Sequence, residues 1–207
     1  MSLPFFRNGA RVAVLSLVAL GSAALAQSGV PSDGSRFLKA VRDADGTAVT
    51  QIVKDSPSPT LIDTRDLTTG DTALHIVTER RQAKWIRFLI NNGANPNIAN
   101  KEGVTPLMLA TRIGHIEGVT ELLEAGAAVD PLSSTGETPL IFAVHRRDVP
   151  LIRVLMEHGA DPDRTDNSGR SARDYVKLIG ERRLSDEFAA GEAAQGEEST
   201  TLYGPSL

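Results

Sequence analysis

The chain has 207 residues, a formal net charge of −4 and no cysteine. The lack of cysteine excludes disulfides, thiol catalysis and thiolate metal sites, and the excess of acidic residues disfavours nucleic acid as a partner. Aromatic residues make up only 4% of the chain, which is low for a compact globular core and ordinary for helix pairs that pack through Leu, Ile and Ala.

Residues 1–26 predict a secretory signal. Arg7 and Arg11 precede an apolar run that ends at Leu25, and small residues on both sides of Leu25 form a cleavage site. The run is short for a bilayer span, and an uncleaved N-terminal membrane anchor is the alternative. Cleavage removes two of the 22 basic residues and none of the 26 acidic ones, so the mature chain has a net charge of −6. The alanine-rich signal indicates the bacterial periplasm, with an extracellular location as another alternative.

Residues 27–34 form a predicted linker, because they contain too little apolar surface to fold alone. The segment that follows, up to Asp66, is predicted to be a degenerate pair of helices. Phe37, Leu38 and Val41 line the first of these helices, and Val49, Ile52 and Val53 line the second.

The central part of the chain is periodic, which is typical of a repeat solenoid. In each unit a threonine N-cap, followed by proline in two of them, predicts the start of a short helix. A second helix follows with an apolar stripe at i, i+3 and i+4, and it ends at a Gly-Ala pair. Glycines recur every 33 residues in two sets, Gly70, Gly103, Gly136 and Gly169, and Gly93, Gly126 and Gly159. The stripes are Ile86, Leu89 and Ile90, then Val119, Leu122 and Leu123, then Ile152, Leu155 and Met156.

These units resemble the ankyrin repeat. Residues 100–132 carry nearly all of its pattern, with Thr105-Pro106-Leu107, Ala110, Gly114-His115, Leu122-Leu123 and Gly126-Ala127. The resemblance implies an all-α ankyrin-repeat solenoid of about three full repeats with degenerate N- and C-terminal capping repeats, spanning residues 35–188. Two departures stand out: Arg147-Asp148 replaces Gly-His between two helices, and the turn from Asp66 to Gly70 has one extra residue, which predicts a bulge.

The C-terminal part of the chain turns polar. Residues 166–188 are predicted to close the array, since a terminal unit of a solenoid needs a wet outer side. Residues 189–207 are rich in Gly, Glu, Ser and Thr, and they predict a disordered acidic tail. Leu202 and Tyr203 in this tail offer a short peptide anchor as the alternative interpretation.

The sequence does not favour catalysis. Three of the four histidines have structural explanations: His75 and His115 occupy repeat positions, and His158 precedes a helix-ending glycine. His145 has no ligand at i+3 or i+4 that would complete a metal site. We therefore expect no catalytic residue, no metal and no cofactor, and an unrecognised hydrolase or metal-dependent enzyme is the weaker alternative.

The resemblance also implies where a partner binds, since ankyrin proteins generally use their hairpin tips and the exposed face of their first helices, which form a concave surface. The matched positions are Thr68, Thr69, Asp71, Glu79, Arg80, Lys101, Glu102, Val104, Arg112, Ile113, Ser134, Thr135, Glu137, His145 and Arg146.

Three arginines of that set, Arg80, Arg112 and Arg146, recur near the repeat spacing. They predict a stripe of positive charge that suits a carboxylate or phosphate partner, or else simply solvated helix ends that complement the helix dipole. The resulting hypothesis is a monomeric, non-catalytic scaffold that binds an unidentified protein, with an acidic surface if the arginines take part. We expect no nucleic acid and, after signal cleavage, no membrane span. A secreted effector that binds a host protein is the alternative.

Overall fold

The computed structural model describes residues 32–56, 58 and 60–201, with side chains up to residue 194. The predicted signal therefore lies outside the described residues. Within the described residues the regular elements are helices, and an isolated antiparallel bridge joins Thr165 to Ser171. The helices are α1 (Asp33–Arg42), α2 (Gly46–Asp55), a short 3-10 helix (Leu61–Asp63), α3 (Ala73–Glu79), α4 (Ala83–Asn91), α5 (Pro106–Ile113), α6 (Ile116–Glu124), α7 (Pro139–Arg146), α8 (Val149–Glu157), α9 (Ala172–Ile179) and α10 (Arg182–Thr201).

The predicted all-α solenoid is confirmed. Helices α1, α3, α5, α7 and α9 pack in sequence as one layer of first helices, and α4, α6, α8 and α10 pack in sequence as a layer of second helices. The predicted apolar stripes point into the space between the layers, since Ile86, Leu122 and Leu155 are fully buried. Burying one such side chain contributes roughly 1.5–3 kcal/mol, so stacking supplies the main stabilisation of each short helix.

The first helices start where the threonines predict. The side-chain oxygens of Thr105 and Thr138 accept hydrogen bonds from Met108 N (3.3 Å) and Ile141 N (3.2 Å), and proline occupies the first turn of both helices. The bonds satisfy one backbone donor that each helix would otherwise leave open. Helix α1 begins at Asp33, inside the predicted linker of residues 27–34, and the side chain of Ser32 caps it.

Three non-glycine residues take the left-handed conformation between paired helices. They are Ala44, Arg81 and Arg147, with φ between 55° and 56°. Gly114 takes the same conformation at the end of α5, with φ 64°. This conformation costs a non-glycine residue roughly 1–2 kcal/mol. Arg81 offsets part of the cost, because its guanidinium donates hydrogen bonds to the carbonyls of Ile113 and Gly114 in the next unit.

Side chains in the loops between units bind the backbone of the following unit. Carboxylate or amide oxygens of Asp63, Asn97 and Asp130 accept hydrogen bonds from backbone N–H groups about one repeat further on. Between the second helices, Arg87 pairs with Glu121 and Arg153 pairs with Glu187. Neighbouring units are therefore linked by polar contacts as well as by their apolar stripes. The donors of the loop hydrogen bonds to Asp63, Asn97 and Asp130 are, in that order, Asn95 N (2.9 Å), Ala128 N (2.7 Å) and Asp161 N (3.0 Å).

Helix α10 continues through residues 189–201, a segment for which the composition predicts disorder. Leu184 and Phe188 are buried against the preceding unit, and Gly191 lets α10 approach α8 so closely that a Cβ there would stand 2.9 Å from Met156 Cβ. Glu192 pairs with Arg173. Contacts with Met156 and Arg173 thus hold the start of this polar segment, residues 189–192, which composition does not reveal. The last residues, 202–207, lie outside the described part.

Among the described residues, no helix combines the length and the apolar character that crossing a bilayer requires.

His75 links two units and provides a test of the stacking. Its side chain is 2% exposed, its Nδ1 accepts a hydrogen bond from Thr72 N–H (3.2 Å), and its Nε2 donates to the carbonyl of Val104 (2.9 Å). Both contacts require the neutral imidazole with the proton on Nε2. Burial lowers the pKa of His75 below its ordinary value of 6.5.

We predict that the protein loses stability as pH falls from 7.5 to 5.5. Because the pKa of His75 is lower in the folded than in the unfolded state, the unfolded chain takes up the proton first, and the stabilisation present above about pH 6.5 is lost below it. Urea denaturation at several pH values measures this loss. His75→Met, which copies the residue at the equivalent position of the next unit, should reduce the slope.

His115 contributes the slope that remains in the variant, since burial lowers its pKa as well. Identical pH slopes for the wild type and His75→Met would contradict the assignment.

Candidate protein-binding surface

We define the tip face as the turns at residues 66–71, 100–104 and 133–137 together with the exposed sides of α3, α5 and α7. Each turn is closed by a hydrogen bond from its glycine N–H to the carbonyl of the first turn residue, such as Gly103 N to Asn100 O (3.0 Å). The predicted bulge lies in the first turn, where the side chain of Leu67 is 93% exposed.

Asp66 holds the bulged turn together. Its Oδ1 accepts hydrogen bonds from the N–H groups of Thr68 (2.8 Å) and Thr69 (3.2 Å), and its Oδ2 binds Arg42. These bonds, led by the two backbone donors, hold the pKa of Asp66 below its usual range. These bonds stabilise the turn with Leu67 exposed at its outer end.

The structure brings most of the predicted site residues to the tip face. Asp71, Ile113 and Glu137 are half-buried there. Val104 is the least exposed of the set, because its side chain is only 8% exposed and its carbonyl accepts the bond from His75. The exposed members are Thr68, Thr69, Glu79, Arg80, Lys101, Glu102, Arg112, Ser134, Thr135, His145 and Arg146.

The three arginines do not form one row of equivalent free cations. Arg80 donates a hydrogen bond to the carbonyl of Arg42, and Arg146 donates to the carbonyl of Arg112 (3.2 Å), so both bind the end of the first helix in the preceding unit. The guanidinium of Arg112 has no hydrogen bond or ion pair within the described residues. In the repeat register Arg112 corresponds to Glu79 and His145, and is one position out of step with the other two arginines.

His145 belongs to a polar group at the C-terminal side of the tip face. Its Nδ1 lies 3.5 Å from Glu137 Oε1, and its ring meets the ring of Tyr175 edge to face at 4.4 Å. The hydroxyl of Tyr175 donates to Asp166 Oδ2 (2.7 Å). No set of three His, Asp or Glu side chains in the described residues could hold a metal ion, and this group is a surface network.

Neighbouring turns are joined at two of the three junctions along the tip face. Between the first and second turns, Lys101 N donates to Thr69 O (3.0 Å) and Asn100 Nδ2 donates to Asp71 Oδ1 (2.9 Å). Between the third turn and the turn at residues 166–170, Asn167 N donates to Thr135 O (3.1 Å). These bonds close the backbone of one turn onto the next.

The junction between the second and third turns lacks these bonds among the residues described. Ser133 stands where the second turn has Asn100, and its hydroxyl is used locally, accepting from the N–H groups of Thr135 (3.3 Å) and Glu137 (3.0 Å). A cleft of about 520 Å³ opens here, against about 310 Å³ at the equivalent place between the first and second turns. Sequence reasoning missed this cleft; the serine in place of Asn100 was its only signal.

Comparison with known families agrees with the architecture. Two family models described as ankyrin repeats match the chain, one of three copies over residues 37–133 and one of many copies over residues 122–176. Together they span residues 37–176, from within α1 to within α9. The chain therefore belongs to the ankyrin repeat family, whose repeats indicate a protein–protein interaction module.

Curated relatives share only part of their length with this chain. It is 42% identical over 50 residues to the nuclear factor NF-kappa-B p110 subunit of Drosophila melanogaster, and 36% identical over 62 residues to the human transient receptor potential cation channel subfamily A member 1. It is 43% identical over 47 residues to a putative ankyrin repeat protein, FPV031, of fowlpox virus. The matches cover 24%, 30% and 23% of this chain, but only 5%, 5% and 14% of those proteins.

Two matched glycine substitutions test the difference between the junctions. Gly70 and Gly103 have nearly equal φ values of 78° and 76°, so an alanine meets the same backbone strain at both. A Cβ at Gly70 would lie 2.8 Å from Lys101 N, whereas a Cβ at Gly103 meets nothing within 4 Å. We predict that Gly70→Ala lowers the free energy of unfolding by about 1–3 kcal/mol more than Gly103→Ala does, because only the first must push two turns apart.

Urea denaturation of the two variants measures the difference. Gly136→Ala serves as a second closed junction, since its Cβ would lie 2.7 Å from Asn167 N, and it should behave like Gly70→Ala. Equal losses in all three variants would show that the junctions are alike.

Proposed function

We propose that this protein is a non-catalytic scaffold of the bacterial periplasm that binds a protein partner through its tip face. The observation that carries the proposal is a pair of clefts between the turns of the tip face. Glu79, Glu102 and Arg112 in their linings have no side-chain partner among the residues described. Charges left unpaired beside clefts are available to pair with a partner and to select it.

The relatives do not select a process. Their names describe a nuclear factor subunit and a cation channel, and the match with this chain covers 5% of each. A fold that serves such different proteins carries its function in its surface. The proposal therefore rests on the tip face and on the signal-like N-terminus of this chain.

Export is tested by cell fractionation with the intact mass of the recovered protein. We expect the periplasmic fraction to hold a chain that begins at Gln27, because a signal with small residues at its end is cleaved there. Recovery from the culture medium would favour the secreted effector instead. Recovery from the membrane with residues 1–26 retained would favour the anchor, and recovery from the cytoplasm would overturn export.

Photo-crosslinking in living cells tests the binding face. We expect p-benzoylphenylalanine at Glu79 or Glu102 on the tip face to yield adducts with a partner protein, identified by mass spectrometry. The same probe at Lys84 or Glu124, which are exposed on the second helices, should yield none, and it is the matched control. Adducts from the second helices alone, or from neither face, would contradict the proposal.

A further inference from the structure

The junction between the second and third turns differs from its neighbours in ways that concern a ligand. We call it the open cleft and define it by its lining residues, Glu102, Val104, Met108, Arg112, Ser133, Ser134, Thr135, Glu137 and Phe142. In the repeat register these positions match the cleft between the first and second turns almost residue for residue. Differences between the two clefts therefore arise from side chains and from the missing bonds.

The rim of the open cleft carries an unused backbone donor and an unused acceptor. At the other two junctions Lys101 N and Asn167 N donate to the carbonyl of the preceding turn. At the open cleft the equivalent pair is Ser134 N–H and the carbonyl of Glu102, and neither has a partner among the described residues. An extended peptide can bind both groups through its own backbone, as a strand binds a sheet edge.

The floor of the open cleft is apolar. Met108 takes the position of His75, and Phe142 takes the position of Leu109. Phe142 is half-buried and leaves part of its ring at the cleft. Met108 is only 1% exposed, so the exposed part of the Phe142 ring is the apolar surface of the floor, and it suits one apolar residue of a peptide.

The charge at the inner end of the open cleft is opposite to the charge at the same place in the cleft between the first and second turns. Arg112 stands in the position of Glu79, and its guanidinium is exposed and unpaired within the described part. Glu137 forms no ion pair with it among the described residues; its carboxylate instead accepts a hydrogen bond from the Thr135 hydroxyl (2.8 Å) and lies 3.5 Å from His145. A guanidinium pairs with a carboxylate through two parallel hydrogen bonds, so this end of the cleft selects an acidic side chain.

We propose that the open cleft binds an extended peptide segment of the partner, with one apolar side chain over Phe142 and an acidic side chain against Arg112. This inference rests on the proposed function, since it names the part of the tip face where the partner binds. The peptide backbone completes the hydrogen bonds that the third turn does not make with the second. The geometry thus assigns the partner a short, extended segment with one acidic residue at the Arg112 end, while the carboxylates of Glu102 and Glu137 elsewhere in the lining disfavour further acidic residues.

The free protein gives the first test. Amide hydrogen exchange measured by NMR should be at least about tenfold faster at Ser134 than at Lys101 and Asn167, because only the latter two are hydrogen-bonded to a neighbouring turn. Equal protection of all three amides would show that the cleft is closed and would overturn the proposal.

The second test uses random heptapeptides displayed on phage and selected on the mature protein. We expect the enriched sequences to combine an apolar and an acidic residue at fixed spacing, and synthetic copies to protect the Ser134 amide on binding. Arg112→Glu should weaken their binding about tenfold or more, since it replaces attraction with like-charge repulsion. Lys84→Glu makes the same change of charge at an exposed position of the second helices, away from the cleft, and should leave the affinity within about twofold.

A third variant closes the cleft without changing its charge. Ser134→Asn installs the residue found at Asn167, whose Nδ2 donates to the carbonyl of the preceding turn (3.3 Å). It should weaken peptide binding about tenfold while urea denaturation shows no loss of stability. This combination separates a blocked cleft from a damaged fold.

The remaining outcomes are decisive. Peptides that bind Arg112→Glu and Ser134→Asn as well as the wild type would overturn the open cleft, while crosslinks from the tip face would leave the scaffold function in place. Failure to enrich any peptide would also overturn the cleft. Tight binding of a synthetic peptide of residues 195–207 would show that the chain's own C-terminus is the occupant, and it would overturn the assignment to a partner.

Discussion

The structure depends on each helix pair being covered by the next one. A short helix such as α3 or α5 cannot bury its apolar stripe alone, and its stability comes from the stacked neighbours on either side. Polar contacts follow the same rule, because the side chains of Asp63, Asn97 and Asp130 satisfy backbone groups about one repeat further along. The fold is therefore a row of nearly identical junctions, and each junction satisfies groups that no single unit can satisfy.

The candidate site follows from this arrangement. Where a junction is complete, as at Lys101 and Asn167, backbone groups of the two turns bind each other and are not available to a partner. Where serines occupy the equivalent positions at 133 and 134, the side chains bond locally or not at all, and the two turns separate over an apolar floor. Free backbone groups thus arise at a place where the repeat pattern is interrupted.

Prediction from the sequence was most accurate where one residue type has one physical role. Thr105 and Thr138 cap helices, and Ile86 and Leu122 are buried as their spacing predicts. It was less accurate where a side chain could either face a partner or bind the neighbouring unit. Spacing alone aligns Arg80, Arg112 and Arg146, but two of them bind carbonyls of the preceding unit and the third lies one position out of register. The side chain of Val104 is buried for a similar reason, since the resemblance marks a position and not the direction of its side chain.

By itself the sequence determined the repeat, the helix starts and the apolar stripes, because these depend on contacts within one unit or on a period of 33 residues. Only the tertiary structure decided which of Arg80, Arg112 and Arg146 remains unpaired, which turns separate, and that α10 runs on past residue 188, where Gly191 packs against Met156. These outcomes depend on distances between units, and a distance between units is set by the packing of many side chains at once, which no local pattern records.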